Sequence, residues 1–136
     1  MSGPDRTRTG RSLVGFGLYD CVVGAWLLVA PGPLLDLLLT ARTTEHWIRL
    51  LGTSAIVLGF YYIVAGRHGL VVLARASLWG RAAMATAFAT LVALGIAPVL
   101  LLGIAGNELL GVLWTTLALR ADEREGLIPR ATRGLA

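Results

Sequence analysis

The chain has 136 residues, 56% of them hydrophobic and 15% charged, with a mean hydropathy of +0.73 and a net charge of +4. This length allows one domain, and a charged fraction well below the roughly 25% of soluble globular proteins excludes an ordinary soluble domain in favour of an integral membrane protein. The isoelectric point near 10.2 comes from 12 arginines and no lysine. Scattered between apolar runs, these arginines read as membrane flanks and not as a nucleic-acid surface, and the missing lysine reads as bacterial GC-rich coding.

Residues 1–11 form a basic N-terminal tail carrying Arg6, Arg8 and Arg11. The apolar run that follows continues to Ala30, longer than the roughly 7–15 residues of a signal-peptide core, and it leads into "PGPLLD", not a small-x-small cleavage site. It reads as a retained first span over residues 12–30, stopped by Pro31-Gly32-Pro33. Residues 33–40, "PLLDLLLT", are too short to cross and read as an outer-interface piece. A second span is predicted over residues 47–66, with Thr43 or Thr44 as its cap and Glu45 at its positive end. Residues 69–77, "GLVVLARAS", read as an inner-interface piece. The apolar run from Leu78 to Leu119 is long enough for two spans, and Gly95 and Pro98 divide it into residues 78–96 and 98–119. Residues 120–136 have mixed charge and no apolar period, which predicts a solvated helix end followed by a disordered cytoplasmic tail.

The expected fold is therefore all-α: a four-transmembrane-helix up-down bundle with short loops, spanning residues 12–119. Arg42 and Arg49 lie at the connection between spans one and two, and the other ten arginines lie on the opposite side. The positive-inside rule then places both termini in the cytoplasm and the chain in the inner membrane. Trp26, Trp47, Trp79 and Trp114 fall towards predicted span ends, where amphipathic rings settle.

Two acids stand against this apolar background. Asp20 is the ninth residue of the first span and Glu108 the eleventh of the fourth, so antiparallel helices bring both to mid-depth. A charge there costs roughly 2.5–3.5 kcal/mol on insertion scales, so both acids are expected to face the bundle interior. Arg49, three residues into span two, is the expected counter-charge, turned inwards. One guanidinium cannot neutralise two carboxylates, so one acid is expected to hold a proton. Asp20 and Glu108 form the candidate acid/base pair, with Arg49, Asn107 and Tyr19 as candidate binding residues. A purely structural role, cross-bundle hydrogen bonds that fix the helix register, is the competing reading.

Glycines at 15, 17 and 24, at 52, 59 and 66, and at 103, 106 and 111 mark faces for close helix approach. Tyr61 and Tyr62 read as interface anchors, Asp36 and Glu45 as outer-face charges, and His46 and His68 as solvated loop residues at opposite membrane faces. Cys21, the lone cysteine, reads as packing; it excludes an intrachain disulfide and Cys-x-x-Cys redox chemistry. No metal site and no cofactor is expected.

"GLYDCVVGAWLLVAPG", "WIRLLGTSAIVLGFYYIVAGR" and "NELLGVLWTTLALR" resemble the small bacterial four-helix membrane proteins grouped as DoxX-like or BphX-like. The resemblance covers about residues 13–120 and implies a four-helix bundle with cytoplasmic termini. Some such proteins accompany redox or thiol-handling partners, but thiol exchange itself is beyond a chain with one cysteine. The first expectation for function is a buried polar site that binds a lipophilic small molecule, such as a quinone or prenyl chain, or supports a membrane enzyme. The second is an enzyme using the paired acids as general acid and base on a lipophilic substrate, of cyclase, isomerase or epoxide-opening type. The third is a proton-coupled transporter; the arginine asymmetry favours one fixed orientation over dual insertion. The expected partners are the lipid bilayer, that small molecule, and a membrane protein or second copy of the chain; nucleic acid is not among them.

Overall fold

A computed structural model describes residues 7–37 and 46–130. All regular structure among the described residues is helical: α1 (Arg8–Val29), α2 (Pro31–Leu37), α3 (Trp47–Arg67), α4 (Val71–Ala93) and α5 (Leu101–Arg124). Of the four long helices, α1, α3 and α5 are long and apolar enough to cross a membrane. At 23 residues α4 has the length as well, but it carries Arg75 and Arg81. We call the end where α1 starts and α5 finishes proximal, and the other end distal.

The helix limits differ from the sequence expectation in an instructive way. Val71–Ser77 is not an interfacial piece but the first two turns of α4, so the third long helix begins seven residues before Leu78. Helix α1 starts at Arg8, inside the predicted tail, and α5 continues through Ala121–Arg124. The Pro31-Gly32-Pro33 stop holds: α1 ends at Val29, and Pro31 occupies the first position of α2, where a missing N–H costs nothing. Gly95, at φ 70°, turns the chain between α4 and α5. The capping residues proposed at Thr43, Thr44 and Glu45, together with Arg42, lie outside the described residues.

Helix α1 packs most extensively on α3, and α4 on α5; α1 also packs on α5, whereas α3 meets α4 only briefly. The α1–α3 seam is a ladder of facing glycines. Gly10, Gly17 and Gly24 on α1 oppose Gly66, Gly59 and Gly52 on α3, seven residues apart on each helix and running in opposite directions. A Cβ at Gly17 would lie 2.6 Å from the Gly59 carbonyl oxygen, and one at Gly59 only 2.5 Å from that of Gly17. Backbone meets backbone here, as small-residue seams allow. Cys21 sits in this seam, its Sγ 3.7 Å from the Ile56 carbonyl. At the distal end Leu27, Leu34, Leu35 and Ile48 close α2 over the α1–α3 pair.

The proximal end is clasped by polar contacts. Asp122, fully buried, accepts hydrogen bonds from the backbone N–H groups of Arg8 (3.2 Å) and Thr9 (2.8 Å) and from the Thr9 hydroxyl (2.6 Å). Thr7 Oγ1 takes the Gly10 N–H. A carboxylate at the positive end of α1 thus satisfies donors that have no partner within the helix. Arg8–Glu125 (2.8 Å) and Arg75–Glu123 (2.7 Å) add ion pairs, and Arg75 also donates to the Pro129 carbonyl. Residues 120–130 are a helix end and turn with Arg120, residues 124–127, Pro129 and Arg130 exposed, but they are anchored at two points: Asp122 and Ile128 are buried, Ile128 in the same apolar cluster as Leu13, Phe16, Tyr62 and Leu119. Replacing Asp122 with Ala strands two backbone donors and a hydroxyl, which should cost about 1–3 kcal/mol. Thermal unfolding in detergent, followed by circular dichroism, measures it; a variant melting with the wild type would mean that the clasp contributes nothing.

Candidate functional site

Midway along the helices a charged cluster forms at the meeting of α1, α4 and α5, and its centre is Arg81. This side chain is 2% exposed. Its guanidinium carbon lies 3.4 Å from the centroid of the Phe16 ring on α1 and 4.7 Å from that of Tyr62 on α3. The two rings meet edge-on at 6.0 Å. A desolvated cation over an aromatic face gains about 2 kcal/mol or more, which offsets part of the cost of burying it. On α5, Gly111 makes the room: a Cβ there would fall 2.8 Å from Arg81 Nη1 and 2.7 Å from Phe16 Cε2.

Asp20 and Glu108 both lie within electrostatic reach of Arg81, and Asp20 within reach of Glu108. Residues from α1 and α5 that are 88 positions apart in sequence are thus brought together. Glu108 is buried and Asp20 half-buried. Neither forms an ion pair with Arg81 within 4.0 Å. All three guanidinium nitrogens, Asp20 Oδ2 and Glu108 Oε2 are buried and have no hydrogen-bond partner. Thr115 Oγ1, one turn beyond Gly111, is in the same condition. Tyr19 lies within electrostatic reach of both acids, with its ring 5.6 Å from Phe16. Asn107 is half-buried on the face of α5 beside Glu108.

The partner assigned to the acids needs correcting. Arg49 is exposed at the distal end of α3 and donates to the Leu28 carbonyl of α1, so it covers a helix C-terminus and stays out of the cluster. A group at the end of a span finds free carbonyls and polar surroundings there, so no force draws it to mid-depth. Tyr62 is likewise not an interface anchor: it is buried against Arg81 and Phe16, whereas Tyr61 is exposed. The glycines of α5 also divide. Nothing lies within 4 Å of a Cβ built at Gly103 or Gly106, so Gly111 alone of the three marks a packed face.

No known protein family, curated protein or solved structure matches the chain. The reading of the site therefore rests on its chemistry. Among the described residues no three metal-ligating side chains come together. The cluster offers one fixed cation under Phe16 and Tyr62, two carboxyl groups and, at its exposed edge, the phenol of Tyr19. With both acids ionised the cluster carries one net negative charge; its neutral state holds one proton on the acid pair. Arg81 escaped the sequence reading because the third helix was started too late. A usable signal was present: Ala74, Ser77, Arg81 and Ala85, the buried residues of α4, follow the i, i+3, i+4 rhythm of one helix face.

Proposed function

We propose that the chain is a four-span protein of the bacterial inner membrane with both termini in the cytoplasm, and that its Arg81–Asp20–Glu108 cluster binds a lipophilic small molecule within the bilayer. In this reading α4 crosses beside α1, α3 and α5, its mean hydropathy lowered by an arginine whose charge is met inside the bundle. A helix of 23 residues is about 34 Å long at ~1.5 Å per residue, enough for a hydrocarbon core of ~30 Å. The four spans would then form an up-down bundle of the DoxX-like or BphX-like kind.

The observation that carries the binding reading is the set of buried polar atoms without partners. Leaving such groups unpaired in an apolar interior costs several kcal/mol, and intramembrane ionisable groups mark binding or conduction sites far more often than packing defects. The chain purified in a mild detergent should carry a small lipophile absent from an Arg81→Met/Asp20→Asn/Glu108→Gln variant, which keeps the shapes and removes the charges. Mass spectrometry of organic extracts from equal amounts of the two proteins tests this. Identical extracts would count against the reading.

The meeting of two carboxyl groups around one cation favours a second reading, in which a proton on the acid pair is delivered to an alkene or epoxide and later recovered. Product formed from a prenyl epoxide in membranes carrying wild type but not Glu108→Gln would distinguish an enzyme from a binding protein.

A further inference from the structure

The arrangement of the unpartnered atoms narrows the chemistry of the ligand; this step rests on the binding reading above. Arg81 presents donors only, and Asp20 Oδ2 and Glu108 Oε2, when ionised, present acceptors only. The two sets are within electrostatic reach, yet farther apart than an ion pair. A group that satisfies both must accept from the guanidinium on one side and donate to a carboxylate on the other. A hydroxyl does this with one atom. A carbonyl or an ester accepts but cannot donate, and a quaternary cation does neither. A carboxylate or phosphate head would place a third negative charge beside Asp20 and Glu108.

The surroundings indicate where the rest of such a molecule lies. Distal to Asp20, the buried residues of α1 are Gly24 and Leu27, which face α3 and α2. Distal to Arg81 on α4 and to Glu108 on α5, only Ala85 and Ala105 are buried. The two helix pairs thus share no buried side chains beyond the level of the acids. Tyr19, Val22 and Trp26 run up α1 from the acids at one-turn spacing, all exposed. They make an apolar, aromatic stripe that begins at the charged cluster.

We propose that the site takes a lipophilic alcohol or phenol, its hydroxyl bridging Arg81 to Asp20 or Glu108 and its hydrocarbon body lying along Tyr19, Val22 and Trp26. The test uses the wild-type chain in detergent, read by native mass spectrometry against four probes. Farnesol has the hydroxyl, farnesyl acetate keeps the skeleton and the acceptor but has no donor, farnesene has neither, and tetraphenylphosphonium is a lipophilic cation. Farnesol should bind one per chain, and about tenfold or more better than the acetate and the hydrocarbon, the ratio expected for one hydrogen bond to a charged group. The Arg81→Met/Asp20→Asn/Glu108→Gln variant, checked for unchanged helicity, should lose that preference. Equal binding of the acetate, equal binding of farnesene, or capture of tetraphenylphosphonium in place of farnesol would each overturn the hydroxyl assignment while leaving a ligand site in being. Binding of none of the four, together with identical extracts from wild type and the triple variant, would remove the binding reading as well.

Discussion

Arg81→Met should destabilise the protein by about 3–5 kcal/mol, the cost of removing one member of a buried charged set. The guanidinium is the only cation in the cluster, and its loss leaves Asp20 and Glu108 facing each other in an apolar interior. Methionine keeps much of the stem that packs on Phe16, so the change is mainly one of charge. The decisive comparison is with the triple variant in which Asp20→Asn and Glu108→Gln accompany it. If Coulombic compensation is what Arg81 supplies, the triple variant should recover most of the lost stability in urea or dodecyl sulfate unfolding. If the triple is no better than the single, Arg81 matters through its stacking between Phe16 and Gly111, and the acids are indifferent to it.

Gly59→Leu should prevent α1 and α3 from docking at all. Alanine at this position already puts a Cβ 2.5 Å from the Gly17 carbonyl oxygen and 2.7 Å from Cys21 Sγ. Overpacking of that kind costs about 1–3 kcal/mol where the surroundings can shift, and here the nearest atom is backbone. Leucine adds three more carbons to a seam with no room for one. The expected result is loss of the monodisperse peak in size-exclusion chromatography for Gly59→Leu and a lowered melting temperature for Gly59→Ala. Gly106→Ala is the control: with nothing within 4 Å of the new methyl, it should be neutral or slightly stabilising, because alanine holds a helix better than glycine. A Gly59→Ala protein as stable as the control would mean that the seam is not the close contact described.

Much of this arrangement was legible in the residues. Unbroken apolar runs separated by prolines and glycines locate the long helices, because a spanning helix must be long and apolar whatever it packs against. The seven-residue glycine spacing of α3 was visible too, though its mate on α1 includes Gly10, which the basic flank of Arg8 and Arg11 disguised as tail. That Asp20 and Glu108 come near each other was readable from antiparallel counting alone. The cation was not. Hydropathy averages over a window, and an arginine inside a helix lowers that average whether its charge is satisfied or not. Arg75 therefore made the start of α4 look like an interface, and Arg81, falling near the start of the predicted span 78–96, was counted among the flanking arginines. What rescues Arg81 is a ring on α1, a ring on α3 and a bare backbone on α5, three partners from three separate stretches of chain. No local pattern announces such a convergence.

The clasp at Asp122 has a bearing on how the protein is made. Helix α1 is synthesised before α5, and the carboxylate that satisfies the Thr9 N–H stands 113 residues later. At a synthesis rate of about 5–20 residues per second, the leading helix waits roughly 6–23 s for it. Asp122 then arrives on the last turn of α5, and Arg8 and Arg75 draw in Glu125 and Glu123 beside it. Helix α1 is finished only by the end of α5, so a chain cut short before this turn would leave the proximal end unlatched.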